Sequence, residues 1–325
     1  MTARKDIVFD FRRRLLDGGF TGAVSLDAPL APLTYYKIGG PAAVLAEVPK
    51  VEDLAILRNL LSDSPLPCFV MGAGTNLLVA DRGFPGVVIR LGDGFAKLES
   101  PDEGNMVRCG AAVPLARLVR DGVRMGMAGV ERLAGIPGWV GGALYMNAGT
   151  HGRYFGEMVE SVQVYTTSSG ESVVNRDDCA FGYRSSRFQN SEEIILACSI
   201  RVGSADPEEL AAEVERRLGH RRQTQPVDIP SCGCVFKNPP GEISAARLIE
   251  DAGLKGARHG GAVISDKHAN FVVNDRQATA LDILALMAEA RRKVFDLTGV
   301  KLVPEVQAVG FDDPIEVMLD AWEQG

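Results

Sequence analysis

GIPGWVGGALYMNAGTHG, residues Gly135 to Gly152, places six glycines among eighteen residues with apolar side chains between them. A regular helix or strand does not run through such a stretch, because each glycine costs up to about 1 kcal/mol in one. It is also too apolar for a solvated linker. A buried, glycine-rich backbone fits either a tight turn inside a core or a main chain that something flat or phosphorylated must approach closely.

A second glycine-rich segment favours the bound group. Upstream, Ala43 to Val48 reads as a strand, Val51 to Leu61 as a helix with Val51, Leu54, Leu57 and Leu61 on one stripe, and Cys68 to Met71 as a short strand. This β-α-β order ends at Gly72-Ala73-Gly74-Thr75-Asn76. A glycine loop at a strand end can aim backbone N–H groups at a phosphate. The segment only superficially matches the dinucleotide pattern GxGxxG: Leu77 stands at the third glycine, and Leu77 to Ala80 is too short for the helix that should follow. A different phosphate loop is expected.

Composition sets the frame. The 325 residues are enough for two or three domains; they are 46% apolar and 24% charged, as in an ordinary globular chain. A net charge of -7 and the lack of a basic tract argue against a nucleic-acid partner. No apolar run approaches the roughly 20 residues of a membrane span, and Met1 to Arg14 lacks a secretory core. The cysteines at 68, 109, 179, 198, 232 and 234 do not form a secreted disulfide framework. A cytoplasmic protein with free thiols and no membrane contact is expected.

Around the two loops, Asp6 to Leu16 reads as a helix with Ile7, Phe11 and Leu15 on one face. Gly86 to Arg90, Ala96 to Ser100 and Met106 to Gly110 read as strands, and Pro114 to Val123 as a helix with Leu115, Leu118 and Val119 inward. Ser161 to Thr166 and Glu171 to Asn175 form a hairpin pattern, and Ile194 to Val202 is a further strand. Asp206-Pro207-Glu208-Glu209 has the form of a helix start, with Leu210, Val214 and Leu218 inward as far as about Arg222. Beyond it come a strand-like Cys234 to Phe236, a short helix from Ala245 to Ala252, strands at Ala262 to Ser265 and Phe271 to Asn274, and an amphipathic helix from Thr279 to Leu297. That helix buries Ile283, Leu286, Met287, Ala290, Val294 and Leu297 and stops at Gly299. Leu302 to Val309 is a closing strand, and the tail from Phe311 to Gly325 a short acidic helix. The organisation expected is an N-terminal helical extension (1–33), an α+β region with both glycine loops (34–203, subdivided near 90), a smaller α/β domain (204–300) and a closing strand and tail (301–325).

Three further clusters carry chemistry-bearing side chains. FGYRSSRF at Phe181 holds Arg184, SCGCVFKNP at Ser231 holds two thiols, a lysine and an amide, and VPEV at Val303 places Glu305 in an apolar strand. Each has a plain alternative. Arg184 reads equally as a surface arginine, Glu305 as the solvent face of an edge strand, and Cys234 as a small buried hydrophobe. Cys232 and Cys234 lack a second pair at metal-ligand spacing, so no metal is expected.

Seven stretches in order, namely YKIGGPA at Tyr36, GAGTNLLVAD at Gly72, AGIPGWVGGALYMNAG at Ala134, CAFGYRSSRF at Cys179, PSCGCVFKNP at Pro230, SDKHANFVVN at Ser265 and VPEVQAVG at Val303, resemble the UDP-N-acetylenolpyruvoylglucosamine reductase family. The resemblance covers about Leu33 to Gly310 and is to the shorter subclass, without an extra tyrosine-bearing loop. It implies a vanillyl-alcohol-oxidase-type FAD-binding fold with a smaller α/β substrate-binding domain. It implies non-covalent FAD, NADPH as hydride donor in a ping-pong order, and UDP-N-acetylglucosamine enolpyruvate as substrate. By motif match, Gly72, Ala73, Gly74, Thr75, Asn76 and Leu77 hold the pyrophosphate, while Ala134, Gly135, Ile136, Pro137, Gly138, Gly141, Gly142, Ala148 and Gly149 line FAD. Arg184 and Glu305 meet the charge on the substrate carboxylate and enolate, and Tyr183, Lys237 and Asn238 line the nucleotide-sugar site.

The chain departs from the family pattern at the proton-donor position, where serine is usual and Cys234 stands. A thiol with an ordinary pKa of about 8.5 is mostly protonated at neutral pH and can act as a general acid. Thr75 replaces a usual serine and keeps its hydroxyl, and Trp139 stands where a small residue is common. Two other readings compete: a flavin oxidase of the same fold acting on a sugar or alcohol, and a non-catalytic nucleotide-sugar binder.

Overall fold

The computed structural model describes residues 2–150 and 152–323. By contacts the chain forms two compact units, each built from several segments. The first takes Met1–Leu26, Val44–Ala73 and Gly86–His220; the second takes Asp27–Ala43, Gly74–Pro85 and Arg221–Gly325.

In the first unit, Thr2–Asp17 is a helix that buries Val8, Phe11 and Leu15. Ile7, expected inward, is 39% exposed; Val8 takes its place one residue further round the helix. Val51–Ser62 is a helix whose Leu54, Leu57 and Leu61 are buried, and Cys68–Val70 runs parallel to Phe84–Leu91 with Cys68 opposite Val87. Gly170–Asn175, Val159–Thr166, Ile194–Arg201 and Met106–Gly110 form an antiparallel sheet in that order. Its hairpin closes with Thr166 opposite Gly170. The expected strand at Ala96 to Ser100 is reduced to a single bridge, Leu98 to Cys109, on the open edge of Met106–Gly110: the Gly110 N–H donates to the Lys97 carbonyl at 2.8 Å and the Glu99 N–H to the Arg108 carbonyl at 3.0 Å, and Pro101, without an N–H, ends the run. Leu115–Arg124 is a helix with Leu115, Leu118 and Val119 buried. Pro207–Thr224 starts as its sequence directs, with Asp206 Oδ1 accepting the Glu208 N–H at 2.8 Å. Only Leu210 on it is fully buried, Val214 and Leu218 being half-buried.

The second unit has its core around the helix Ala280–Thr298, whose Ile283, Leu286, Met287, Ala290 and Val294 pack with Tyr36, Leu78, Val235, Phe236, Ile249 and Ile264. Thr279 and Asp282 cap this helix reciprocally, Asp81 accepts the Ala280 N–H at 2.8 Å, and Gly299 ends it at φ +72°. Leu297 is 60% exposed rather than buried, since the last turn runs past the core. Arg258–His259, Ala262–Ile264 and Val272–Asn274 form a small antiparallel sheet. Of the expected strand from Leu302 to Val309 only Gln307–Val309 forms, parallel to Leu77–Val79. Pro304 has no N–H to continue the ladder and makes one bridge to Phe236. Ile315–Glu323 is the tail helix, buried through Ile315 and Leu319, while Gln324 and Gly325 lie outside the described residues. Among the described residues no helix is long and apolar enough to cross a membrane.

Candidate active site

The glycine-rich stretch lies wholly in the first unit. Its glycines divide into two kinds. A Cβ on Gly149 would collide with the Arg153 carbonyl and the Tyr154 backbone, and one on Gly141 would meet Ala111 Cβ at 3.0 Å, so the protein's own packing demands these two. Gly142 is exposed, and nothing lies within 4 Å of where its Cβ would stand. Gly135 and Gly138 have φ of +81° and +125°, which fixes the turn before the short helix Val140–Tyr145. Residues 134–139 are half-buried in an unbroken run. Gly72, at the end of Cys68–Val70, likewise opens onto free space within 4 Å. Open glycine main chain of this kind fits a bound planar or phosphorylated group, and this is the sense in which the residues suit FAD. Trp139 stacks with the Arg90 guanidinium, whose carbon sits 5.2 Å from the ring centre.

Arg184 occupies a four-residue turn in which Gly182 and Ser185 exchange backbone hydrogen bonds at 3.0 and 3.3 Å. Its φ is +53°, the left-handed region that costs a non-glycine residue about 1–2 kcal/mol. Its guanidinium lies over the Tyr183 ring at 5.4 Å. From the glycine-rich stretch, the Asn147 side chain bonds to this turn at Gly182 and the Tyr145 carbonyl accepts from Ser186 and Gln189 just beyond it.

The remaining candidates share the second unit. Asn76 Nδ2 donates to the Glu305 carbonyl at 3.0 Å, and the Gln307 N–H to the Asn76 carbonyl at 3.0 Å. The Gly74 carbonyl, at φ +66°, accepts from the Tyr35 N–H at 3.0 Å. Thus the second half of the glycine loop, with Thr75 and Leu77, is tied to the segment that carries Glu305. That segment pairs in turn with the one that carries Cys234: the Glu305 N–H donates to the Val235 carbonyl and the Lys237 N–H to the Val303 carbonyl, each at 2.8 Å. Glu305 is half-buried between the buried Pro304 and Val306, as strand alternation requires.

On the other side of the Cys234 segment stands Asn270, a residue that motif reading quoted without giving it a role. It is 1% exposed; its Oδ1 accepts the Phe236 N–H at 3.0 Å and its Nδ2 donates to the Phe236 carbonyl at 2.8 Å. A side-chain amide thereby imitates a neighbouring strand. Asn238 Oδ1 accepts the Ala245 N–H at 3.0 Å at the start of the helix Ala245–Asp251.

The two thiols differ. Cys232 is 7% exposed in the core beside Tyr36, and burial pushes its pKa up to about 12. Cys234 is half-buried against Val263, Phe271 and Val273. Arg221, near the end of its helix, lies within electrostatic range of Cys234 and Tyr35; burial lowers its pKa and these two groups oppose that shift. Nothing in the local sequence marks Arg221 apart from its neighbours. No disulfide joins any of the six cysteines, and among the described residues no group of three or more His, Cys, Asp or Glu is arranged to hold a metal.

Residues 42–174 match the family described as FAD binding domain, and residues 225–309 the family described as UDP-N-acetylenolpyruvoylglucosamine reductase, C-terminal domain. Fold and loops together define an FAD-binding flavoprotein. The chain is 40% identical over 297 residues to the UDP-N-acetylenolpyruvoylglucosamine reductase of Synechococcus sp. (strain WH7803), covering 90% of this chain and 95% of the relative. It is 41% identical over 292 residues to UDP-N-acetylenolpyruvoylglucosamine reductase 2 of Symbiobacterium thermophilum, covering 89% and 93%. The crystal structure of UDP-N-acetylenolpyruvylglucosamine reductase from Thermus caldophilus superposes with a TM-score of 0.75 at 35% identity, over 89% of this chain and 98% of that one. The chain belongs to the UDP-N-acetylenolpyruvoylglucosamine reductase family.

Proposed function

We propose that this chain reduces UDP-N-acetylglucosamine enolpyruvate to UDP-N-acetylmuramate with NADPH and non-covalent FAD, a step in peptidoglycan precursor synthesis carried out in the cytoplasm. When bound, FAD would supply the two-electron hydride chemistry that links NADPH to C3 of the enolpyruvyl group. Gly72 to Leu77 and the open main chain around Gly142 would hold the cofactor through backbone contact.

The protein's own side chains handle charge and the proton. Cys234 gives its thiol proton to C2. The Arg221 cation nearby favours the thiolate left behind. Arg184 meets the carboxylate and the developing enolate charge, and Glu305 polarises the same group. Tyr183, Lys237 and Asn238 line the nucleotide-sugar site. Cys232, with its proton held to about pH 12, stays out of the chemistry.

The observation that carries this reading is the pairing of the Cys234 and Glu305 segments through Val235 at 2.8 Å, with the Glu305 carbonyl held by Asn76 of the glycine loop at 3.0 Å. A pure binder has no need of a proton donor on a segment paired with that of a carboxylate. The test is anaerobic: reduce the bound flavin with NADPH, remove the nucleotide and add the enolpyruvyl substrate. Recovery of the oxidised flavin spectrum supports the reading. A flavin that reduces but recovers only with oxygen contradicts it and favours the oxidase.

A further inference from the structure

Arg184 needs a left-handed backbone to present its guanidinium, and three side-chain contacts around it converge on one short segment. Asn147 is 3% exposed, itself left-handed at φ +42°, and directly follows the helix Val140–Tyr145. Its Nδ2 donates to the Gly182 carbonyl at 2.8 Å, and its Oδ1 accepts the Gly156 N–H at 2.9 Å. The Tyr145 carbonyl accepts from Ser186 Oγ at 2.8 Å and from Gln189 Nε2 at 2.9 Å. Gln189 Nε2 also reaches the Arg184 carbonyl at 3.2 Å. The turn is therefore gripped before Arg184, after it and at its own carbonyl.

We propose that Asn147, with Ser186 and Gln189, positions Arg184 for the substrate carboxylate, fastening its turn to the same glycine-rich segment that borders the flavin seat. This rests on the reading of Arg184 given above. The grip has a physical purpose. A left-handed arginine relaxes to an extended or helical backbone unless its surroundings hold it, and either change swings the guanidinium away. Phe181 closes the junction: a Cβ on Gly156 would meet its ring at 2.7 Å, so Gly156 must stay a glycine for the Asn147 bond to form.

The test is a double-mutant cycle read by affinity and by rate. Asn147→Ala, Arg184→Ala and the double variant are compared, each checked for retained flavin by absorbance. Affinity for UDP-N-acetylmuramate is measured by calorimetry, and flavin reoxidation by the enolpyruvyl substrate by stopped flow. In the parent enzyme Asn147→Ala weakens product binding and slows reoxidation about tenfold or more. In the Arg184→Ala background it costs less than about twofold, because the arginine it served is gone. Equal losses in both backgrounds, or no loss in the parent, overturn the proposal. If Arg184→Ala alone changes neither quantity, the assigned role of Arg184 fails, and the clamp's purpose with it. Should Asn147→Ala lose its flavin, Ser186→Ala combined with Gln189→Ala removes the other grip and carries the same cycle.

Discussion

The side-chain amide of Asn76 donates to the main-chain carbonyl of Glu305 at 3.0 Å, joining a glycine loop to a segment more than two hundred residues later. The parallel pairing of Leu77–Val79 with Gln307–Val309 continues the same junction. Asn76→Ala removes one such bond and leaves that pairing in place. The expected loss is about 1 kcal/mol of stability, with weaker FAD retention and slower reoxidation by substrate together. Dialysis followed by flavin absorbance checks it; a variant that loses activity with full flavin affinity contradicts the link.

Gly142 and Gly149 make opposite predictions. Gly142 lies in a helix, facing open space, so Gly142→Ala stabilises the flavin-free protein by up to about 1 kcal/mol. On the proposed reading the same methyl group intrudes on the flavin seat and should lower FAD affinity. Gly149→Ala overpacks against Arg153 and Tyr154 and costs about 1–3 kcal/mol without flavin present. Thermal unfolding of the apo forms, with FAD titration by fluorescence quenching, separates the two.

Much of this was readable from local pattern. Met106–Gly110 forms with the expected bounds, Gly299 stops its helix and Asp206 caps its own, because turns and caps are decided by a few adjacent residues. Errors came where a partner far along the chain decides. Ala96 to Ser100 has a strand's composition but meets the edge of Met106–Gly110 at only one bridge, and Pro304 interrupts a run that hydropathy alone makes continuous. Ile7 and Leu297 fit a helical stripe, yet the core stops short of them. The glycine loops were legible as loops, whereas the division between Gly149 and Gly142 needs the neighbouring atoms. Asn270, Asn147 and Arg221 were hidden for the same reason: their partners are main-chain groups or side chains that sequence order does not reveal.

Thiol reactivity follows burial. Cys109, Cys179, Cys198 and Cys232 are buried, and burial raises the pKa of Cys179 to about 11 and of Cys232 to about 12. Iodoacetamide at neutral pH should label Cys68 and Cys234 in the native protein and spare these four. Peptide mass mapping reads the result; rapid labelling of Cys232 contradicts the assignment of the inert thiol.

His268 sets one component of acid sensitivity. Burial lowers its folded pKa, and its Nδ1 is buried with no hydrogen-bond partner among the described residues. The unfolded chain therefore takes up a proton first, at about pH 6.5. Stability is lost as pH falls below that value, until the folded state's own pKa is reached. His268→Gln should reduce the drop in urea midpoint between pH 7.5 and 5.5, flattening the curve relative to the parent; an unchanged drop contradicts it.

The donor assignment is tested most directly by anaerobic stopped flow on Cys234→Ala, with Cys234→Ser and Cys232→Ala as companions. The account predicts that NADPH reduces the flavin of Cys234→Ala at nearly the parent rate. Reoxidation by UDP-N-acetylglucosamine enolpyruvate should slow about 100-fold to 10,000-fold, the usual contribution of a general acid. Cys234→Ser retains a donor hydroxyl and most of the rate, and Cys232→Ala behaves as the parent. Reoxidation of Cys234→Ala at the parent rate would contradict the assignment of the proton to Cys234.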